Sequence, residues 1–100
     1  MTKTRVIRVD PIGEAPEAER DIAAAILRDA VIAYTTETFY ELGAAAFSKK
    51  AVEKVYRLKG RDAGKPLPVV AADLDMVKEI AGRLPPAFRA LAGEFWPGPL

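Results

Sequence analysis

The chain has 100 residues, with 15 Lys and Arg against 14 Asp and Glu, a formal net charge of +1, and neither His nor Cys. A chain of this length makes one small domain or part of a larger one, burying only about 60% of the surface its unfolded form exposes, and a 50% hydrophobic content excludes a disordered acidic or histone-like chain. The missing thiols and imidazoles exclude disulfide frameworks, thiolate nucleophiles, cysteine-ligated zinc, and Ser-His or Cys-His hydrolysis within it.

Met1-Thr2-Lys3-Thr4-Arg5 lacks the apolar stretch of a signal peptide, and no apolar run of about 18 residues follows, so the expectation is a soluble, cytoplasmic protein with no membrane partner. Thr4–Val9 is β-branched and stops at Asp10-Pro11-Ile12-Gly13, which predicts a first strand and a turn. Glu17–Asp29 places Ile22, Ala23, Ile26 and Leu27 on one face, which predicts a core-packing helix. Val31–Tyr34 reads as a short strand buried in the middle of a sheet. It leads into Thr35-Thr36-Glu37-Thr38-Phe39-Tyr40-Glu41-Leu42-Gly43, which is either a ligand-binding loop at the end of a strand or a Thr-rich strand in its own right.

The window Lys49–Lys65 holds seven basic residues against two acids. Ala51, Val52, Val55, Tyr56 and Leu58 recur at helical spacing, so Lys49–Leu58 is predicted to be an amphipathic helix with its lysines outward. It runs out into Lys59-Gly60-Arg61, Gly64 and Pro66, predicting a flexible turn whose cations converge on phosphate or carboxylate oxygens. The alternative is that these cations complement the helix dipole and solvate the turn. Leu67–Ala71 is predicted to be another short strand, with Pro68 marking either an edge or the strand's start. Asp73 is placed to cap a helix through Ala81 that Gly82 stops. Pro85–Glu94 should form a last helix with Phe88, Leu91 and Phe95 inward, before a rigid turn at Trp96–Leu100 that points onward to a further strand. The expected class is an α/β fold, a twisted open sheet with flanking helices, truncated so that one sheet edge is left open to self-association.

Four of these pieces, in this order, resemble the YrdC-like family of threonylcarbamoyl-AMP synthases. They are Thr35-Thr36-Glu37-Thr38-Phe39-Tyr40-Glu41-Leu42-Gly43, Lys59-Gly60-Arg61, Lys65-Pro66-Leu67 and Trp96-Pro97-Gly98-Pro99. Thr35 stands where the family usually has Pro, and Glu41 where it usually has Gly. Glu41 would be strained if that position requires a positive φ, and its carboxylate would repel phosphate. On this resemblance residues 1–100 are the N-terminal part of a YrdC-like domain, and the family's later Ser-x-Asn motif lies beyond it.

The resemblance implies an enzyme joining L-threonine, bicarbonate and ATP, with Mg²⁺ accompanying ATP, into threonylcarbamoyl-AMP and pyrophosphate. The product would pass to a downstream threonylcarbamoyl transferase complex for tRNA modification. It makes Lys59 and Arg61 the catalytic pair and, with Lys65, the ATP phosphate ligands; Thr36, Thr38 and Tyr40 would bind threonine, and no residue is assigned to a metal. Such chemistry relies on alignment and positive charge, and so needs neither Cys nor His. One alternative is a non-catalytic YrdC-like module binding tRNA or double-stranded RNA through the basic window and Tyr56. Another is the YrdC-like domain of carbamoyltransferases, whose usual Cys-rich segments this chain lacks.

Overall fold

The computed structural model describes residues 3–10 and 12–98. Their elements run α1 (Pro16–Leu27), β1 (Ile32–Thr35), β2 (Tyr40–Gly43), α2 (Lys49–Lys59), α3 (Leu74–Ala81) and α4 (Pro86–Phe95). They fall into two compact units, Met1–Pro66 and Leu67–Leu100. The α/β class holds: helices accompany a two-stranded antiparallel sheet. Among the described residues no helix is long and apolar enough to cross a membrane.

In the first unit, α1 opens on Pro16 with Glu17 and Glu19 in its first turn, where acids complement the helix dipole. Ile22 and Ile26 are half-buried as the spacing predicts, but Leu27 is 85% exposed. Leu27 is the last helical residue, at the point where the chain turns away. The turn is made at Asp29, whose φ of 63° is left-handed. The Ala30 N–H then bonds the Ala25 carbonyl at 3.1 Å and the Asp29 N–H bonds the Ile26 carbonyl at 3.1 Å. This 6→1 and 5→2 pairing is the Schellman closure of a helix. The Lys54 ammonium of α2 donates to the Asp29 carbonyl at 2.9 Å, fastening the end of α1 to α2.

β1 and β2 form a hairpin with Ile32 opposite Gly43, Ala33 opposite Leu42, Tyr34 opposite Glu41 and Thr35 opposite Tyr40. The predicted strand therefore exists, shifted by one residue, but it is half exposed and paired with its own continuation rather than buried mid-sheet. The segment expected as either a ligand-binding loop or a Thr-rich strand is divided: Thr35 ends β1, residues 36–39 form the connecting turn, and Tyr40–Gly43 pairs as β2. Gly43 is required by close approach: a Cβ there would lie 2.7 Å from Cε1 of Tyr34, so the tyrosine ring lies over the glycine.

α2 is capped by Ser48, whose hydroxyl accepts the Ala51 N–H at 3.2 Å. Its inner face buries Ala51 and Val55, while Leu58, expected on that face, is 66% exposed. In the second unit, Asp73 caps α3 by accepting the Met76 N–H at 2.8 Å, and Gly82 ends that helix at φ 78°, both as predicted. α4 buries Ala92 and half-buries Phe88, but Leu91 and Phe95 are largely exposed, so its inner stripe is narrower than expected.

Thr4–Val9 and Leu67–Ala71, both expected as strands, form no ladder among the described residues. A strand is defined by hydrogen bonds to a neighbour, and β-branched composition alone does not supply one. Val6 and Val70 are each 78% exposed, and Ile7, Leu67 and Ala71 are the residues of the two segments that are half-buried. The turn after Val9 forms through Asp10, which accepts the Ile12 N–H at 3.0 Å on its carboxylate. Pro11, Pro99 and Leu100, named in the two predicted turns, lie outside the described residues.

Candidate functional site

Two groups of site residues lie in the first unit. One is the end of α2. Gly60 adopts φ 61° and ψ 28°, and its N–H bonds the Arg57 carbonyl at 3.2 Å while the Arg61 N–H bonds the Tyr56 carbonyl at 3.1 Å. This is a second Schellman closure, now with glycine at the left-handed position where a Cβ is disfavoured. The segment that follows, expected from its composition to be a flexible turn, carries a set of hydrogen bonds. The Lys65 N–H bonds the Asp62 carbonyl at 3.0 Å, the Gly64 N–H bonds the Asp62 carboxylate at 2.9 Å, and the Arg61 guanidinium donates to the Pro66 carbonyl at 3.1 Å. The Tyr56 hydroxyl donates to the Lys65 carbonyl at 2.5 Å. Polar groups of the backbone thus fix a loop that composition alone would leave open.

Lys59, Arg61 and Lys65 are exposed, and among the described residues none of them forms an ion pair. Asp62 lies within the turn and Glu53 near it, but neither forms an ion pair with these cations among the described residues, which leaves the cations able to meet an anion. A shallow groove of about 560 Å³ is lined by Glu53, Tyr56, Arg57, Gly60, Arg61 and Ala63, so that of the three cations Arg61 faces it.

The other group is the hairpin turn. The Thr36 N–H donates to the Phe39 carbonyl at 3.0 Å, and the Thr36 hydroxyl donates to the same carbonyl at 2.7 Å. That hydroxyl also accepts the Thr38 and Phe39 N–H groups, each at 3.2 Å. A hydroxyl has one donor and two lone pairs, so Thr36 is fully used in closing the turn. Thr38 and Tyr40 are exposed, and no hydrogen bond engages either hydroxyl among the described residues.

Glu41 does not take the strained backbone that its place in the motif raised as a concern. It sits in β2, and the one described non-glycine residue with positive φ is Asp29. Its carboxylate accepts a hydrogen bond from the Tyr34 hydroxyl directly across the ladder at 3.2 Å. Burial, the hydrogen bond to Glu41 and the Glu41 charge together push the Tyr34 hydroxyl above its ordinary pKa. Neither this pair nor the Tyr56 tether is visible in the sequence. The first could have been found only by recognising the four residues Thr36–Phe39 as a hairpin connection, which places Tyr34 opposite Glu41.

Each group is assembled locally, and among the described residues no hydrogen bond joins the cations to the hairpin hydroxyls. No cluster of three acidic side chains among the described residues is placed to hold a metal ion.

A family model described as telomere recombination, covering the Sua5, yciO and yrdC proteins, matches residues 24–100. The chain is 41% identical to a threonylcarbamoyl-AMP synthase of Bacillus subtilis over 101 aligned residues, covering 98% of this chain and 29% of that protein. It is 40% identical to the threonylcarbamoyl-AMP synthase of Pyrococcus abyssi, over 79% of this chain and 24% of that protein. It is 39% identical to the mouse threonylcarbamoyl-AMP synthase, over 84% of this chain and 29% of that protein. The chain therefore spans less than a third of the length of these relatives. No solved structure gives a significant match. Because the matched span takes in both the hairpin and the basic cap of α2, the chain belongs to the Sua5/yciO/yrdC family.

Proposed function

We propose that this chain supplies the phosphate-binding turn and part of the threonine pocket of a threonylcarbamoyl-AMP synthase. The observation that carries this reading is the hydrogen-bonded turn after α2, which bears Arg61 and Lys65 just beyond Lys59, none of the three in an ion pair among the described residues. Support comes also from the relatives of that name in bacteria, an archaeon and mouse.

In this reading the amino nitrogen of threonine attacks the carbon of bicarbonate, forming an N–C bond and releasing water. An oxygen of the resulting carbamate then attacks the α-phosphorus of ATP. The bond from that phosphorus to the β-bridging oxygen breaks, and its electrons leave with pyrophosphate. Mg²⁺ arrives as part of the MgATP substrate, carried by the triphosphate. Lys59 and Arg61 stabilise the charge that spreads over the phosphoryl oxygens and the carbamate, with Lys65 assisting. Thr38 and Tyr40 offer the hydroxyls that face threonine, and Thr36 contributes by fixing the turn that carries them. The reaction would take place in the cytoplasm and feed a threonylcarbamoyl transferase acting on tRNA.

Calorimetric titration of the chain with MgATP tests this. Lys59→Ala and Arg61→Ala are each expected to weaken binding at least tenfold, since each removes a charge-assisted contact of about 1.5–3 kcal/mol. Unchanged MgATP affinity in both variants would sink the proposal. The competing RNA-binding reading draws on the groove that sets Tyr56 beside Arg57 and Arg61. It predicts instead tRNA binding that falls steeply with salt and no discrimination of ATP from other nucleotides.

A further inference from the structure

We infer that Tyr56 is a positioning residue for the phosphate-binding turn, holding both of its ends and thereby placing Lys65 alongside Lys59 and Arg61. The inference rests on the nucleotide-binding reading above and extends it to a residue that touches no phosphate itself.

Tyr56 stands on the last turn of α2, one position after Val55, which is 4% exposed, and is itself half-buried. Its stem is therefore anchored in the packed part of the first unit. Two different groups of this one residue reach the turn. The main-chain carbonyl accepts the Arg61 N–H at 3.1 Å, fixing the near end, and the phenolic hydroxyl donates to the Lys65 carbonyl, fixing the far end nine residues along the chain. Between these points Asp62 closes the loop on itself, through its carbonyl to Lys65 N–H and its carboxylate to Gly64 N–H. The Asp62 bonds set the shape of the loop, and the Arg61 guanidinium bonds the Pro66 carbonyl at 3.1 Å from within the turn, so the hydroxyl of Tyr56 is the side-chain bond that ties Lys65 directly to α2. Holding a cation in place before the ligand arrives removes an ordering cost from binding, which is how a residue remote from the phosphates raises affinity for them.

Tyr56→Phe removes the hydroxyl and leaves the ring, so the buried stem is unaltered. This variant is expected to bind MgATP about three- to tenfold more weakly, the usual worth of one hydrogen bond. In the Lys65→Ala background the same substitution should cause no further loss, because the cation it positions is gone. Amide hydrogen exchange should quicken at Gly64 and Lys65 while Ala51 to Val55 stay protected. A purely structural role would weaken binding by the same factor in both backgrounds and would overturn the inference. So would wild-type affinity in Tyr56→Phe. Absence of MgATP binding by the unsubstituted chain would overturn the nucleotide reading and this role with it, whereas binding that ignores Tyr56→Phe would overturn this role alone.

Discussion

The C-terminal ends of α1 and α2 close with the same backbone geometry and different residues. Asp29 takes the left-handed position at φ 63° after α1, and Gly60 takes it at φ 61° after α2. A residue with a side chain is disfavoured there by about 1–2 kcal/mol, somewhat less for Asp, and glycine adopts it freely. The Asp29 turn has outside support, since Lys54 donates to its carbonyl at 2.9 Å. The Gly60 turn has none of that kind: a Cβ built there would meet nothing within 4 Å. One helix end is thus a structural joint, in which a cation is spent on the backbone. The other reaches the same shape by residue choice; there the Arg61 guanidinium bonds the Pro66 carbonyl through one nitrogen, while among the described residues no hydrogen bond or ion pair engages the Lys59 and Lys65 ammonium groups.

The comparison is broken most severely by placing a β-branched residue at the open end. Gly60→Val is expected to destabilise the first unit by about 2 kcal/mol, and Gly60→Ala by about 1 kcal/mol. Because the space around Gly60 is empty, the whole cost is conformational. Thermal unfolding should show it as a fall in midpoint of about 4–8 °C per kcal/mol. An unchanged midpoint would mean that the helix end does not need the left-handed turn.

A smaller effect is expected at the joint. Lys54→Met keeps the aliphatic stem and removes the ammonium, leaving the Asp29 carbonyl without its partner. The loss should be about 1 kcal/mol, read from the urea midpoint at constant slope. If Lys54→Met is neutral, the joint holds without its clamp and the two helix ends are equivalent.

Of this contrast, only the glycine end was legible in the sequence. Gly60 beside Lys59 and Arg61, like Asp73 and Gly82 around α3, announces itself because the residue type and the backbone demand coincide. Asp29 does not, since aspartate is compatible with a helix interior as well as a left-handed turn, and the periodicity carries the predicted helix through it. The predicted strands at Thr4–Val9 and Leu67–Ala71 failed for a different reason, namely that pairing depends on a neighbour that composition does not name. At the candidate site, residue chemistry identified the cations and the hydroxyls. It could not show that the Thr36 hydroxyl is consumed by its own turn or that Tyr56 reaches Lys65, because both facts depend on geometry across the turn.

The smallest expected change makes the two ends alike. Asp29→Gly should stabilise the chain by about 0.5 kcal/mol, the difference between relief of the left-handed strain and the extra backbone freedom that glycine gives the unfolded state. Its sharper use is in combination. Lys54 bonds the carbonyl of residue 29, which glycine keeps, so the gain from Asp29→Gly should be the same in the Lys54→Met background as in the wild type. A gain that shrinks when Lys54 is intact, relative to the Lys54→Met background, would show that the ammonium also draws stability from the Asp29 carboxylate. The joint would then be an ion pair in addition to a backbone clamp. Urea midpoints of the four proteins in this cycle decide between the two.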